Sequence, residues 1–200
     1  IADQELSVWT RDLAEAGAAI SEYREAYFER LFPRFLTIME ELAPSLDALE
    51  LRYRRGWDNS LTYPDALQQG ITTDREQGYT HSGPQRADIR VLSNGHLAAE
   101  TLSRGQQKLV VCGLKLAQGQ LMSQAGPGQC TYLIDDLPSE LDRPHSELVC
   151  GQLADMQAQV FISCVKRQDI ESVWPAGSQG TTLFHVEQGV VSRENAVADG

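Results

Sequence analysis

Two short stretches of the chain carry residue types that could act on a phosphate. The first, Leu102-Ser103-Arg104-Gly105-Gln106-Gln107-Lys108, opens a helix-periodic run. A helix N-terminus offers free N–H groups and the positive end of the helix dipole, so it binds anions. A glycine at this position lets the backbone approach a ligand. Ser103 as a plain N-cap, with Gly105 an accident, is the competing interpretation.

The second stretch is the acidic pair Asp135-Asp136, which follows the apolar run Cys130–Ile134. A continuous apolar run is typical of a strand in a parallel sheet that is covered on both faces. Ligands gather at the carboxyl ends of such strands. Asp135 could therefore hold Mg²⁺ and Asp136 could orient or deprotonate an attacking water. A loop ion pair, or acids with no special role, would explain the same residues.

The combination resembles the ABC-type ATPases, in the variant carried by the group that includes SMC and RecF proteins. Leu102–Gln107 resembles the signature motif, Tyr132–Asp136 the Walker B strand and Ser139–Asp142 the D-loop. Gly83–Asp88 and Leu116–Gly119 resemble elements of the RecF branch, as does Asp-Asp in place of Asp-Glu. The chain is identified as a member of the RecF family, from its C-terminal part. The fold implied is α/β, a helical arm followed by the C-terminal half of a P-loop NTPase domain with a partly parallel sheet.

The resemblance implies that two subunits sandwich ATP between them. Asp135 would serve Mg²⁺ and Asp136 the attacking water. The residues that would contact the ATP of the partner subunit are Ser103, Arg104, Gly105, Gln106 and Asp142. The implied function is ATP hydrolysis by a homodimer that forms on ATP binding.

The implied partners are DNA at single-strand gaps or single-strand/double-strand junctions, and mediators of the RecR and RecO type that load recombinase in DNA repair. The implied location is the cytoplasm, without a membrane. A related SMC- or Rad50-like ATPase fragment, or a non-catalytic module that docks on DNA or a partner, is the alternative.

Two elements of the family pattern are missing from this sequence. No glycine is followed by lysine, so no Gly-x-x-x-x-Gly-Lys phosphate loop occurs, and the first residue is Ile1 rather than methionine. These features suggest a processed chain or a fragment, and predict that this chain alone neither binds ATP tightly nor hydrolyses it, which titration calorimetry with Mg-ATP tests. The family's switch histidine is also missing, since Ser163-Cys164-Val165 follows the Phe161-Ile162 strand.

The hydrophobic pattern predicts the elements that position these motifs. Leu6, Leu13, Ile20 and Tyr27 repeat every seven residues, which fits a helix pair or a plain amphipathic helix over residues 1–32. Pro33 is expected to end or kink that helix before a second, short one. The later segments predicted are a strand at 49–54, a helix at 64–77, a hairpin at 87–98 that leads directly to Ser103, a helix at 106–124, a βαβ unit at 130–165 and a closing hairpin at 181–192. The predicted domains are 1–78, 79–124 and 125–200.

Composition limits the kinds of partner. The formal charge of −11 argues against a surface coated in basic residues for nucleic acid, but leaves room for a local patch. Arg52, Arg54 and Arg55, near Trp57, form the densest basic cluster and are either a solvated strand face or a contact to a phosphate backbone. The four cysteines form no Cys-x-x-Cys pair, so they predict reduced thiols rather than a zinc site.

Overall fold

The computed structural model describes residues 3–46, 48–125, 130–175 and 180–194. The chain divides into two compact units, Ile1–Cys130 and Thr131–Gly200. The first unit combines helices with an antiparallel sheet, and the second contains a parallel strand pair, so the predicted α/β class is confirmed. The finer division at residues 78 and 124 stays a prediction. No helix in the described ranges is long and apolar enough to cross a membrane.

The first helix, α1, runs without a break over Asp3–Leu42 and includes Pro33. The prediction that Pro33 ends this helix was therefore wrong, and a kink at Pro33 stays a prediction. Proline removes one backbone hydrogen bond and costs about 3 kcal/mol inside a helix. Leu31, before Pro33, and Phe35, after it, are both fully buried, and α1 packs on α4 (Arg104–Ala125). Burial on both sides of Pro33 stabilises the continuous helix.

The heptad positions in the first half of α1 face outwards. Trp9 is 64% exposed and Tyr23 is 78% exposed, with Leu13 and Ile20 also on the surface. The buried side of this half is narrow and rests on α2 (Tyr63–Gln77), where the ring of Tyr63 lies so close to Gly17 that a Cβ there would overlap it. Within the described residues the stripe predicted for a helix pair has no partner.

A three-stranded antiparallel sheet follows α1. Its strands β1 (Leu49–Arg54), β2 (Asp88–Ser93) and β3 (His96–Leu97) are arranged in that order. The alternation in β1 is confirmed, since Leu49 and Leu51 are buried while the arginines are exposed. The hairpin predicted at 87–98 turns at Asn94-Gly95, where both residues have positive φ, as a type I′ turn requires.

The prediction that the hairpin leads directly to Ser103 was wrong. A short helix, α3 (Ala98–Thr101), intervenes, and α4 then begins at Arg104. Gly113 in the middle of α4 lies against Met39 of α1, and a Cβ at Gly113 would stand 2.5 Å from the Met39 sulfur. Glycine is unfavourable in a helix interior, and this close packing explains its presence at position 113.

The second unit is built on one βαβ unit. Strands β4 (Thr131–Ile134) and β5 (Gln159–Ile162) are parallel, and α5 (Leu137–Glu140) and α6 (Arg143–Asp155) connect them. α7 (Arg167–Glu171) and the antiparallel hairpin of β6 (Leu183–Glu187) with β7 (Val190–Glu194) complete the unit. The loop predicted at 125–128 lies largely, and the frayed tail predicted for the last few residues wholly, outside the described residues.

The core of the second unit lies on one side of the parallel pair. The apolar spacing of α6 predicts a buried stripe of Leu148, Val149, Leu153 and Met156. Val149 and Leu153 are buried and Met156 is half-buried, but Leu148 is 42% exposed, contrary to the prediction. On the other side, the cross-strand partners Leu133 and Phe161 are 79% and 51% exposed. Among the described residues, β4 and β5 are thus covered on one face only, although the sequence predicts cover on both.

Candidate active site

The start of α4 is held by a reciprocal pair of hydrogen bonds. The Gln106 N–H donates to the Ser103 hydroxyl at 3.3 Å, and the Ser103 N–H donates to the Gln106 side-chain oxygen at 2.9 Å. This capping box satisfies two donors of the helix start. Ser103 is therefore an N-cap, as the simpler interpretation has it, and Gln106 is its partner. Both side chains remain at the surface or close to it.

Gly105, one residue into α4, has no packing role in the described chain. A Cβ built on Gly105 would meet nothing within 4 Å, and the residue is exposed. Glycine is less favourable than alanine in a helix by up to about 1 kcal/mol. Glycine at this position thus lowers the stability of the helix, and no neighbouring group in the described chain requires it. Arg104 beside it is exposed as well.

The carboxyl ends of β4 and β5 bring Asp135, Asp136 and Ser163 together. The Ser163 hydroxyl donates to Asp135 Oδ1 at 2.5 Å and accepts the backbone N–H of Asp136 at 2.9 Å. Asp136 adopts a left-handed conformation, with φ of 47°. Asp135 is exposed and Asp136 half-buried, so both carboxylates are open to a ligand.

The acidic pair fits Mg²⁺ only as part of a larger ligand set. Nowhere in the described ranges do three or more His, Cys, Asp or Glu side chains gather into a group that could hold a metal. Mg²⁺ commonly takes one or two carboxylates and completes its shell with waters and substrate phosphates. The oxygens of Asp135 and Asp136, at an open strand end, match that pattern.

Asp142 is the N-cap of α6. Its Oδ1 accepts the His145 N–H at 3.1 Å and contacts the His145 imidazole Nδ1 at 2.5 Å. These hydrogen bonds, the backbone one first, hold the pKa of the Asp142 carboxyl below its usual range. Asp142 is exposed, so a role toward a partner subunit and its role as a cap are compatible.

The basic cluster on β1 is largely neutralised by neighbouring acids. Arg52 makes two hydrogen bonds to Glu50, at 2.7 and 2.9 Å, and Arg55 lies 3.0 Å from Glu25 of α1. Arg54 stands opposite Asp88 in the β1–β2 register. The cluster is solvent-exposed as the sequence predicts, but its charge is mostly balanced, and its contact to DNA stays a prediction.

Ser163 is the residue that sequence reasoning did not assign to the site. It was noted only because it follows the strand where the family carries a histidine. The signal that could have found it is positional, because residues just beyond two neighbouring parallel strands meet at one sheet edge. Pairing of β4 with β5 brings Ser163 to the acidic pair across 28 residues of chain.

Comparison with known proteins relates the chain to one family. Residues 71–192 match the family model described as RecF/RecN/SMC N terminal domain. A DNA replication and repair protein RecF from Pseudomonas fluorescens is 48% identical over 187 residues, which are 94% of this chain and 50% of that protein. Another from Stutzerimonas stutzeri is 47% identical over 188 residues, with the same coverage. The chain thus spans about half the length of these curated relatives.

Solved structures share the fold. A structure described as the recombination mediator protein RecF-ATPrS in the RecFOR pathway aligns with a TM-score of 0.76 and 24% identity. The alignment covers 96% of this chain and 51% of that one. A RecF-ATP structure aligns with a TM-score of 0.74 and 21% identity.

Proposed function

Because the chain belongs to the RecF/RecN/SMC family, we propose that it supplies the signature motif, the Walker B acids and the D-loop of a DNA-repair ATPase. The protein that carries it binds ATP between two subunits and hydrolyses it. The observation that carries this proposal is the position of Gly105 in the first turn of α4, where its missing side chain leaves the anion-binding end of the helix open beside the Ser103 cap.

The start of α4 is the half-site that this chain offers to the ATP of its partner. The N–H groups of the first turn that the capping box does not use, together with the helix dipole, favour a γ-phosphate. Gly105 leaves the space that the phosphate needs, while Ser103 and Gln106 present a hydroxyl and an amide beside it. Arg104 adds a positive charge to the approach. On the second unit, Asp142 of the D-loop is the residue proposed to link the two sites.

The acidic end of β4 is the hydrolytic part. Asp135, oriented by Ser163, is the residue that would hold Mg²⁺, which when bound neutralises phosphate charge and polarises water. Asp136 orients the attacking water and accepts its proton. The hydrogen bond from the Asp136 N–H to Ser163 fixes the backbone from which that carboxylate projects.

The proposed partners follow from the relatives. The similar proteins are named DNA replication and repair proteins, and one solved structure is described as a recombination mediator of the RecFOR pathway. We infer that this chain belongs to an ATP-dependent homodimer that binds DNA at gaps or junctions in the cytoplasm. RecR- and RecO-type mediators work with it to load recombinase.

Substitution of Gly105 by alanine separates the proposed role from a structural one. In the natural protein that carries this chain, Gly105→Ala should weaken dimerisation with a non-hydrolysable ATP analogue tenfold or more, because the methyl group occupies the space of the γ-phosphate. Thermal stability should stay equal or rise, since alanine favours the helix by up to about 1 kcal/mol. Light scattering and thermal melts measure the two effects.

Gly151 of α6 provides the matched control. A Cβ on Gly151 also meets nothing within 4 Å. Gly151→Ala should therefore raise stability in the same way and leave ATP-dependent dimerisation unchanged. The proposal fails if Gly105→Ala dimerises on ATP as well as the unmodified protein does.

A further inference from the structure

A cavity of about 380 Å³ lies between α1 and α4, away from the residues described above. Its lining includes Arg30, Arg34 and Thr37 of α1 with Gln120 and Gln124 of α4. Arg30 is exposed and Arg34 is half-buried. No function has been assigned to any of these side chains so far.

Hydrogen-bond donors dominate this cavity. Arg34 donates to the side-chain oxygen of Gln124. This bond occupies the amide oxygen, so the two N–H groups of the Gln124 amide can donate to another acceptor. The Thr37 hydroxyl donates to the Pro33 carbonyl. Arg30 forms no hydrogen bond or ion pair with any residue in the described ranges. Two guanidinium groups beside the amide N–H groups of Gln124 suit an anion.

No acid stands three or four residues from either arginine on α1. The neighbours of Arg30 on its helix face are Ala26, Tyr27, Pro33 and Arg34, and those of Arg34 are Arg30, Leu31, Thr37 and Ile38. Helix α4 across the cavity has no Asp or Glu over its whole length. In a chain of net charge −11, Arg30 is thus a cation without an acidic partner among the described residues.

We propose that Arg30 and Arg34 bind successive phosphates of a DNA strand at this cavity. Residues four apart on a helix lie about 6 Å apart along its axis, a spacing on the scale of neighbouring phosphates in one strand. Guanidinium groups bind phosphate oxygens through paired N–H donors. The glutamine amides of α4 add neutral donors beside the same phosphates. The inference rests on the proposed function for its choice of DNA as the partner.

This site differs from the basic cluster on β1 in how its charge is used. Arg52 and Arg55 are each paired with a glutamate, so binding DNA there requires those contacts to be broken or shared. Arg30 has no such contact to lose. Backbone binding by two arginines carries no sequence information, so it positions DNA without selecting a sequence.

The test is DNA binding by the natural protein that carries this chain. Fluorescence anisotropy with a labelled single-stranded 30-mer, and with the same 30-mer as a duplex, measures affinity across a salt series. Arg30→Ala with Arg34→Ala should lower affinity at least tenfold at low salt. The slope of log affinity against log salt should fall by roughly 1.4 to 1.8, as expected for two lost phosphate contacts. Arg30→Lys with Arg34→Lys should keep most of the slope.

The matched control removes two arginines that already have acidic partners. Arg11 lies near Asp12 and Arg143 near Glu147, and both are exposed. Arg11→Ala with Arg143→Ala changes the net charge equally and should leave the salt slope unchanged. The inference is overturned if the Arg30/Arg34 alanine variant binds DNA as well as the unmodified protein does. That result leaves the proposed function standing, because ATP-dependent dimerisation tests it separately. Failure of the unmodified protein to bind either DNA at low salt overturns both the inference and the DNA-binding part of the proposed function.

Discussion

At the scale of single residues, Ser163 connects the two acids at the end of β4. One hydroxyl donates to the Asp135 carboxylate and accepts the Asp136 N–H. Both hydrogen-bonding capacities that the structure shows for this hydroxyl are directed to the acids. We therefore interpret Ser163 as a positioning residue for the proposed hydrolysis rather than as a group that contacts ATP.

Substitution of Ser163 by alanine should lower kcat for ATP hydrolysis tenfold or more while KM for ATP changes little, because Asp135 and Asp136 lose their common support. Loss of the hydrogen bond to the Asp136 N–H should also cost about 1 kcal/mol of unfolding free energy. Steady-state kinetics and urea denaturation of the natural protein measure both. Ser163→Thr keeps the hydroxyl and should restore kcat; an equally inactive threonine variant with intact folding would contradict the interpretation.

At the scale of elements, the packing of α1 on α4 depends on Gly113. A Cβ at this position would stand 2.5 Å from the buried sulfur of Met39. Gly113→Ala should therefore destabilise the chain by roughly 1 to 3 kcal/mol, since overpacking outweighs the gain in helix propensity.

Met39→Ala provides the partner for a double-mutant cycle. Alone it leaves a void and should cost about 2 to 5 kcal/mol. Combined with Gly113→Ala, the added methyl group has room, so the double variant should be more stable than the sum of the two changes predicts. Urea denaturation measures the four proteins, and additive costs would show that the two residues do not compete for space.

The elements also show how far the sequence determines the fold. Strand β1 was predictable because alternation is a local signal, and Leu49 and Leu51 are buried as expected. The continuity of α1 through Pro33 was not predictable, because the packing of α1 on α4 joins residues about 80 positions apart, as Phe35 and Gly113 do, and outweighs a local preference. The four-residue helix α3 is too short to produce a periodic signal.

The candidate site divides in the same way. Ser103, Gly105 and the acids at 135–136 were identifiable from residue type and order. The reciprocal bond of Ser103 with Gln106 follows from their spacing of three. Ser163 and the Arg30–Arg34 cavity depend on which strands and helices become neighbours, and a single sequence without its pairings does not contain that information.

At the scale of the whole molecule, apolar surface remains open on both units. Trp9 and Tyr23 are exposed on α1, and Leu133 and Phe161 are exposed on the β4–β5 sheet. The second unit, Thr131–Gly200, also carries four basic against eleven acidic residues, a net charge of −7. Apolar faces of this kind are normally covered by other protein.

The 200-residue chain alone is predicted to self-associate, because nothing in its described residues covers the outer face of β4 and β5. Leu133→Thr with Phe161→Thr should reduce that association severalfold, since threonine retains strand propensity and removes apolar surface. Light scattering over a concentration series measures the effect. A monomeric unmodified chain at high concentration would contradict the prediction.

The capping box of α4 lowers the side-chain entropy that the proposed half-site loses when a phosphate binds. Because Ser103 and Gln106 hold each other in place, their rotamers are already ordered before a phosphate arrives. Immobilising a side chain on binding costs roughly 0.5 to 1.5 kcal/mol. A half-site that is rigid in the separate subunit avoids that loss of entropy, which would let the two subunits of the proposed dimer close on ATP through a small number of contacts and separate again once the phosphate is gone.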